Sequence, residues 1–461
     1  MKRILDAEKV QTVYRQALKI ADEIGVKCNN RQFLSTLAAK AGIRYANGRM
    51  TIPCDEMDEF FQMRKDEIFA GFKEQKEIRL GRQWHSWELC DPVTNSPRLA
   101  SEKEAIDMAR LSESIGSRGC PIPVAPGNIN PRLHTLECEK LALIYTRSLG
   151  GQLTATDDEE IRVLIDMYLA AGRKYCLAVE PLISPLTLND HILDIYTKWH
   201  ECNDVDITII GAIPMVGTTA PIAFPASLSQ MLAEALILSF IYYKLSDGRL
   251  SSISLRLDPF DMKYSNISFG TPEWCILKQM VIELWEGLFG VKSLSGSFRT
   301  NGRNVDAQTL MQRTASFIWQ VMLGVRNFSA VGQLCVDEVY SPVQAILDVE
   351  LVKYANRLVR GIDGLWDESG DSMAIITDGI DAGNYLVSDS TLENFRSFYD
   401  FERLDTSQNL AIWKQAGSRE MQELAWNRAS KIITEYDFEI NEDMKRDLMN
   451  VYRKGLKIIG S

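Results

Sequence analysis

The sequence lacks the short motifs that mark several common enzyme classes. No GxGxxG or GxxxxGK(S/T) segment opens any predicted helix, so neither a dinucleotide site nor a P-loop is indicated. No GxSxG elbow is present, which argues against an α/β-hydrolase. Internal repeats with periods of about 20–50 residues are also absent, which argues against solenoid and propeller arrays.

The chain is also short of basic residues. It has 461 residues, with 51 Lys and Arg against 62 Asp and Glu, which gives a net charge of −11. Nucleic acids and anionic membranes attract basic proteins, so neither is predicted as a partner. The N-terminal segment MKRILDAEKVQ lacks the apolar core of a signal peptide. The apolar run Met231–Tyr243 is interrupted by Glu234 and is too short to span a bilayer. We therefore expect a cytoplasmic protein without a membrane segment.

Cysteine and histidine give little support for a metal site. The nine cysteines are scattered, odd in number and without a CxxC pair, which is typical of reduced, mostly buried thiols. His134 and Cys138 lie four residues apart on a predicted helix and could face one metal ion together, but the sequence shows no third ligand nearby. The prediction is that the protein holds no metal. Cys335 is either a nucleophile or, as is commoner, a buried thiol.

From about residue 101 onward, apolar strands alternate with amphipathic helices. Serial strand–helix units imply parallel strands with right-handed crossovers. This many units favour an α/β fold with a closed (β/α)8 TIM barrel over an open sheet. The seven predicted strands are Ser117–Val124, Gly151–Thr156, Tyr175–Leu182, Ile207–Met215, Ser251–Asp258, Val291–Gly296 and Asn327–Gln333. The eighth strand has no clear position in the sequence.

The two ends of the chain are predicted to be mainly helical. Residues 1–100 form an extension packed on the barrel, residues 101–345 the barrel core, and residues 346–461 a helical C-terminal part. The predicted C-terminal helices are Ile346–Leu358, Thr391–Phe398, Glu420–Thr434 and Glu442–Leu456. They either wrap the barrel or form contacts between subunits, and we expect a homo-oligomer. Trp84 and Trp87, in an irregular segment, are either a lid or core anchors, and packing is the favoured interpretation.

Barrel enzymes place their chemistry in the loops that follow the strands. The loop Val216–Ala226 has no ionisable side chain and is predicted to form a rigid wall. Three later loops, PFDMKYSNISFGTPEW, SFRTNGRNVDAQ and LCVDEVYSPVQ, are rich in aromatic, acidic and arginine side chains. Aromatic faces attract quaternary ammonium ions and arginine binds carboxylates, so a betaine matches this inventory. Helix caps and salt bridges at the rim explain any single residue equally well.

Several segments together resemble the trimethylamine methyltransferase family. They occur in order between residues 5 and 430 and are LDAEKVQTVYRQALKIADEIGVKC, NGRMTIPCDEMDE, ISPL, PMVGTTAPIAFPASLSQMLAEAL, FGTPE, VDAQ, GQLCVDEVYSPVQAILDVEL and TLENFR. The family has a (β/α)8 barrel and moves a methyl group from an amine to the cobalt of a corrinoid carried on a separate protein. The resemblance therefore implies cob(I)alamin on a corrinoid-binding partner.

The trimethylamine branch of that family uses pyrrolysine, which this sequence lacks. The chain therefore resembles the branch without pyrrolysine, which demethylates quaternary amines such as glycine betaine. A quaternary ammonium leaves as a neutral tertiary amine, so its demethylation needs neither an acid nor a Lewis acid. The protein must position the methyl group and exclude water.

Loop position and residue type select the candidate site residues, and no acid–base residue is among them. The residues expected to bind substrate are Tyr264, Phe298 and Tyr340 as an aromatic cage, Arg299 or Arg303 as a carboxylate clamp, and Phe224. The residues expected to contact the corrinoid are Gly217, Thr218, Gly332 and Gln333.

Two other classes of function stay open at this point. One is a non-catalytic barrel protein that binds or senses such amines. The other is an unrelated barrel enzyme, such as a lyase or isomerase, which would need an acid–base pair and usually a phosphate loop or a metal.

Overall fold

A computed structural model of the chain describes most of its length. The described residues are 2–38, 42–117, 119–151, 155, 157–246, 248, 253–292, 295–362, 371–399, 403–404 and 407–460. The predicted strand Gly151–Thr156 lies largely outside them, as do residues 251–252 and 293–294 of two other predicted strands.

Helices account for most of the described structure. In chain order they are α1 (Ala7–Lys19), α2 (Arg31–Ala38), α3 (Cys54–Gly71), α4 (Glu102–Ser114), α5 (His134–Tyr145), α6 (Asp158–Ala170), α7 (Asp190–Trp199), α8 (Phe224–Leu245), α9 (Pro272–Phe289), α10 (Ala307–Met322), α11 (Pro342–Arg360), α12 (Ser372–Asp381), α13 (Asp389–Phe398), α14 (Leu410–Gln415), α15 (Met421–Glu435) and α16 (Glu442–Ile459). Ile20–Ile24 continues α1 as a π-helical turn, and Pro131–Leu133 is a short 3-10 turn before α5.

The strands are short. In chain order they are β1 (Val26–Lys27), β2 (Arg44–Ala46), β3 (Arg49–Thr51), β4 (Arg79–Leu80), β5 (Glu88–Cys90), β6 (Pro97–Arg98), β7 (Tyr175–Val179), β8 (Leu182–Ile183), β9 (Thr187–Leu188), β10 (Val205–Ile209), β11 (Met215–Val216), β12 (Asp258–Asp261), β13 (Asn266–Ile267), β14 (Ser295–Ser297), β15 (Asn327–Ser329), β16 (Gln333–Leu334) and β17 (Val339–Tyr340).

The helix boundaries follow local capping chemistry. Ser101 and Glu104 form a reciprocal capping box that begins α4. Asp306 accepts a hydrogen bond from the Thr309 amide at 2.9 Å and begins α10 as its N-cap. Gly290 ends α9 in the left-handed conformation, which glycine adopts without steric cost.

Some strands pair in parallel, as the strand–helix alternation predicts, whereas others pair antiparallel, such as β12 with β13 and β16 with β17. Two predicted strands were wrong: the described residues of Ser117–Val124 form only a bridge at Val124, and of the described residues of Ser251–Asp258 only Asp258 lies in a strand. β14, β15 and β4 are neighbours in one sheet, and β7 and β10 pair in parallel over five residues. β11 pairs in parallel with β12, and Ser86 forms a parallel bridge with Val124. The mixed helix and sheet content confirms an α/β protein. The described residues form five small sheets of two to five strands, and a complete barrel is not shown by their pairings.

One parallel strand comes from a segment assigned above to the N-terminal extension. β4 pairs with β15, and the pairing continues beyond both strands through Gly81 N to Phe328 O at 2.6 Å and Ala330 N to Arg82 O at 2.7 Å. This segment, RLGRQWH, has no continuous apolar run, which is why periodicity did not reveal it. Six of the described strands, β1–β6, lie within residues 1–100.

The apolar run Ile207–Met215 is not one strand, so that prediction was wrong. The chain forms β10, then lacks regular structure from 210 to 214, and then forms the two-residue β11. Gly211 and Pro214 account for the interruption. A Cβ at Gly211 would make a tight contact of 3.2 Å with Ser254 Cβ, and proline has no amide hydrogen for a strand ladder.

The helix that follows has more buried residues than any other described helix. α8 is longer than the apolar run Met231–Tyr243 and, by length and composition alone, is long enough to cross a membrane. Most of it, 83% of its most apolar window, is buried inside the protein. It packs against α1, and Glu234 on it accepts hydrogen bonds from Ser184 Oγ and the Leu186 amide. α8 is therefore a core helix whose one acidic side chain is satisfied.

Candidate functional site

Charged and aromatic side chains gather from segments next to four parts of the fold: the ends of β14 and β4, the start of β12, and the antiparallel β16–β17 hairpin. Arg299 lies two residues after β14, and Trp84 lies four residues after β4. Asp258 begins β12, and Asp337 lies in the turn between β16 and β17. Because parallel strands end at the same edge of a sheet, residues far apart in the sequence meet here.

Arg299 is the centre of this cluster. It is 8% exposed, and its Nη2 donates to Asp337 Oδ2 at 2.8 Å. Its guanidinium carbon lies 5.0 Å from the ring centroid of Phe269 and 5.4 Å from that of Trp84. Its Nε is buried without a hydrogen-bond partner among the described residues. A buried donor without a partner is costly, so this N–H is free for an acceptor that the chain itself does not provide.

Further charges surround Arg299. Arg256 Nη2 lies 4.0 Å from Asp258 Oδ2. Asp258 Oδ1 also accepts a hydrogen bond from Trp274 Nε1 at 2.9 Å. Burial lowers the pKa of Lys278 to about 8, against the opposing effect of Asp258. Burial and the neighbouring Arg256 lower the pKa of Arg299 to about 10. Burial is the largest cause of both shifts, so an anion bound beside these two side chains would stabilise their charged forms.

The turn that presents Asp337 has an unusual backbone. Cys335 and Val336 both have positive φ, 50° and 70°. That conformation is uncommon for a β-branched residue such as valine. Two backbone hydrogen bonds compensate, from Cys335 N to Gly302 O at 2.7 Å and from Val336 N to Thr300 O at 2.8 Å. They tie this turn to the loop after β14 and so bring Asp337 to Arg299.

The three residues predicted as an aromatic cage are not brought together. Phe298 is fully buried and stacks against Phe317 and Phe328, with ring centroids 4.9 and 5.4 Å away. Tyr340 is also fully buried, whereas Tyr264 is 70% exposed. Side chains of neighbouring residues in an extended segment point to opposite sides. Because the Arg299 side chain points into the site, the Phe298 side chain points into the core.

The other predicted contacts divide between the surface and the interior. Arg303 and Phe224 are exposed. Gly217 and Thr218 line a surface cavity of about 530 Å³, together with Pro185, Thr219, Ala220, Pro221, Ile222, Gln230 and Met262. Gly332 and Gln333 are buried.

Gly332 and Gln333 make internal hydrogen bonds. The Gly332 amide donates to Asp348 Oδ2 at 2.8 Å. The Gln333 amide group bonds both the N–H and the C=O of Trp84, each at 3.0 Å. Gln333 therefore orients Trp84 beside Arg299.

Sequence reasoning missed some residues of this cluster. Phe269 and Asp337 stand in the loops singled out above, and Asp258 ends the predicted strand before one of them, but Trp84 was interpreted as a packing residue. Arg256 and Lys278 carried no signal of their own. The usable signal was the alternation of side chains along each strand, which places Arg299 on the side opposite Phe298.

A second cluster lies next to Trp84. His85, His134 and Cys138 bring their Nε2, Nε2 and Sγ atoms within 4.8 Å of one another. His134 and Cys138 are on α5, and His85 supplies the third donor that the sequence did not reveal.

Comparison with known proteins identifies a family. A family model described as trimethylamine methyltransferase (MTTB) matches residues 169–455, which is more than half of the chain. No curated protein matches the chain. Among solved structures the chain is similar to that of HydG, a maturase of the FeFe-hydrogenase. That match has 11% sequence identity and a TM-score of 0.34, covers 99% of this chain and 91% of the other, and is too distant to carry an argument. From the family match, the chain belongs to the trimethylamine methyltransferase family, whose members are methyltransferases that act on methylamines with corrinoid partners.

Proposed function

We propose that this protein moves a methyl group from a quaternary amine that carries a carboxylate, such as glycine betaine, to cob(I)alamin on a corrinoid-binding protein. Family membership supports methyl transfer from a methylamine. The observation that carries the substrate class is Arg299, a buried cation with an unpartnered Nε at the ends of the strands. An arginine fork binds a carboxylate in a defined plane.

The cluster brings three cations together beside the proposed position of the carboxylate. Arg256, Lys278 and Arg299 face Asp258 and Asp337, and Glu180, whose pKa is raised by burial, lies near Arg256, so the net charge of the cluster depends on the ionisation of Glu180. Phe269 and Trp84 flank the guanidinium, exclude water from it and fix its orientation. In this proposal the carboxylate accepts from Arg299 and the N-methyl groups extend away from the guanidinium.

Demethylation of a quaternary amine requires the protein mainly to position the substrate. The leaving amine is neutral, so no side chain has to deliver a proton to it. When bound, cob(I)alamin supplies a cobalt nucleophile that accepts the methyl group. The chain's own residues would hold the substrate and keep water out.

Two of the four residues expected at the corrinoid suit a contact with another protein's cofactor. Gly217 and Thr218 lie in an open surface cavity, and a Cβ at Gly217 would meet nothing within 4 Å. We keep these two as proposed contacts. Gly332 and Gln333 are enclosed by the protein and are better explained as positioning residues for the site.

We also propose that the fold closes into a (β/α)8 barrel. In this arrangement the segment around β4 is the first strand and lies between the segment around Val124 and β15. The parallel pairs β14–β15, β7–β10 and β11–β12 fit the remaining order. Arg299, Asp337, Asp258 and Trp84 would then lie at the catalytic end of the barrel.

The test is direct methyl transfer. The purified protein is mixed with cob(I)alamin and a panel of N-methylated amines with and without a carboxylate, and the cobalt absorbance is followed. We expect methyl-cobalt formation that is fastest with a carboxylated quaternary amine. Failure with every amine, with free cobalamin and with a corrinoid-binding protein, would refute methyl transfer. Tight calorimetric binding without turnover would instead support an amine-binding protein.

A further inference from the structure

His85, His134 and Cys138 have the arrangement of a metal-binding site. The two Nε2 atoms are 2.9 Å apart, and Cys138 Sγ lies 3.9 Å from His85 Nε2 and 3.8 Å from His134 Nε2. Three atoms at these separations leave a point about 2.1 Å from each of them, close to the usual zinc–nitrogen and zinc–sulfur distances of about 2.0–2.3 Å. We infer that these three residues bind a transition-metal ion of the zinc class.

The hydrogen bond behind His85 supports this inference. His85 Nδ1 lies 2.7 Å from the Ile122 carbonyl oxygen, so it carries the proton and donates it there. The lone pair is then on Nε2, which faces the other two donors. Histidine ligands of metals commonly donate their second ring nitrogen in this way, because the bond fixes both the tautomer and the ring orientation.

A direct hydrogen bond between the two imidazoles explains only part of the geometry. It accounts for the 2.9 Å separation of the Nε2 atoms. It does not account for Cys138, which is fully buried and points its Sγ at both nitrogens from nearly equal distances. A thiol is a weak hydrogen-bond partner, whereas a thiolate and two neutral imidazoles are three good ligands.

The donor set selects the metal. Two nitrogens and one sulfur suit zinc and its neighbours, while magnesium and calcium require oxygen ligands. Three protein ligands leave a further position for water or another small ligand. The point equidistant from the three atoms lies in their plane, so a tetrahedral ion would sit out of that plane and the donors would move slightly apart to hold it. The Trp87 ring packs 4.7 Å from the His134 ring and 5.8 Å from the His85 ring, and its own 58% exposure places the cluster just beneath the surface.

A metal here would join two parts of the site wall. His85 follows Trp84, the residue that packs on Arg299, whereas His134 and Cys138 belong to the first turns of α5. Binding would fasten the end of the β4 segment to α5 and so hold Trp84 in place. This inference does not depend on methyl transfer, since metal binding is measured without amine or corrinoid.

The experiment uses cobalt(II) as a spectroscopic substitute for zinc. The full-length protein is treated with a chelator, desalted and titrated with Co(II), and zinc content after reloading is measured by elemental analysis. We expect one equivalent of either metal per chain. The Co(II) form should show a thiolate-to-cobalt charge-transfer band and the strong visible bands of tetrahedral cobalt. Zinc should raise the Tm of the metal-free protein.

Variants assign the ligands. Cys138→Ser should abolish the charge-transfer band and weaken zinc binding at least tenfold, and His85→Ala should weaken it similarly. Cys138→His replaces the thiolate by an imidazole, so it should retain zinc but lose the charge-transfer band. Cys202→Ser and His200→Ala remove the same residue types elsewhere and should leave stoichiometry and spectrum unchanged.

Two results would overturn the inference. One is the absence of stoichiometric zinc or cobalt binding by wild-type protein that is folded by circular dichroism. The other is a charge-transfer band that persists in Cys138→Ser. If the wild-type protein binds one zinc ion per chain but transfers no methyl group from any amine, the proposed function is refuted and the metal site stands.

Discussion

At the scale of single residues, Arg299 is the side chain on which substrate binding should depend most. Arg299→Ala removes a charge-assisted contact with the substrate carboxylate, which is worth about 2–3 kcal/mol, or roughly 30- to 150-fold in kcat/KM. We expect that loss for a carboxylated quaternary amine and a much smaller one for tetramethylammonium. The measurement is the initial rate of cobalt methylation with each amine.

Arg303 provides the discriminating comparison for that prediction. It was the other candidate clamp, but it is exposed and far less confined than Arg299. Arg303→Ala should change kcat/KM for the carboxylated amine by less than about threefold, as is usual for surface charges. If the two arginine variants lose the same activity with both amines, the assignment of the clamp to Arg299 is wrong.

Lys278 should give the site a pH dependence near pH 8. Its pKa is lowered to about 8, chiefly by burial, so its positive charge disappears as the pH rises through that value. The KM for a carboxylated amine should therefore increase between about pH 7 and 9. Lys278→Met should show a higher KM at pH 7 and no such increase.

The pH dependence of folding stability is a second check of the lowered pKa of Lys278. Here deprotonation of the lysine is favourable, because it makes the folded protein more stable, whereas it weakens substrate binding. The unfolded chain keeps this lysine protonated up to about pH 10.4, so the wild type gains stability as the pH rises from about 8 toward that value. The variant lacks that gain and should be at least as stable as wild type at pH 7. A constant difference in Tm between wild type and variant from pH 7 to 10 would contradict the lowered pKa.

At the scale of elements, α10 and α11 are joined by a fully buried ion pair. Arg313 Nη1 lies 2.6 Å from Asp348 Oδ2, and both side chains have zero exposure. Asp348 also accepts from the Gly332 amide at 2.8 Å and from Gln344 Nε2 at 2.9 Å. Through Gly332 the pair anchors the chain that leads to Asp337, so its loss should affect both stability and the site.

Removing one member of that pair should be strongly destabilising. Asp348→Leu leaves the Arg313 charge buried and uncompensated, and we expect a loss of about 3–5 kcal/mol in the free energy of unfolding. The double variant Arg313→Met/Asp348→Leu should recover much of it, because no buried charge remains. Urea titration followed by circular dichroism measures both.

The exposed pair Arg446–Asp443 is the matched control for the buried one. Its atoms are 2.8 Å apart, but both side chains are more than half exposed. Asp443→Ala should therefore cost less than about 1 kcal/mol. If Asp443→Ala lowers the free energy of unfolding as much as Asp348→Leu does, burial does not determine the cost of breaking these ion pairs.

Helices were predictable from the sequence to within a few residues, whereas short strands were not. The predicted Glu442–Leu456 is observed as Glu442–Ile459, because an amphipathic stripe and a capping asparagine, Asn441, mark it locally. β4 has two residues and takes its identity from β15, nearly 250 residues later in the chain. A strand defined by its partner leaves no periodic signal of its own.

The site shows the same division between local and long-range information. Arg299 was found because charged residues that follow a strand are candidates by position alone. Phe298 and Tyr340 belong to the same segments, but which side of the strand enters the core depends on packing against helices that the local sequence does not specify. Trp84 could not be assigned because the backbone bonds that orient it come from Gln333.

At the scale of the whole molecule, the seam between β4 and β15 joins the first hundred residues to a strand nearly 250 residues later in the chain. Gly81 lies at this seam, where its amide donates to Phe328 O at 2.6 Å. A Cβ at Gly81 would lie 2.6 Å from Asn327 Oδ1 and 3.1 Å from Phe328 O. A side chain at this position would have to displace the Asn327 side chain and shift the Phe328 carbonyl by a few tenths of an ångström.

Gly81→Ala should accordingly separate the two strands and destabilise the protein. Overpacking of this kind costs about 1–3 kcal/mol. The matched control is Gly71→Ala at the end of α3, where a Cβ would meet nothing within 4 Å and where alanine favours the helix. Urea unfolding followed by circular dichroism measures the stability of both variants. If Gly81→Ala is as stable as Gly71→Ala, β4 does not close the fold at β15, and the proposed barrel would have to close elsewhere.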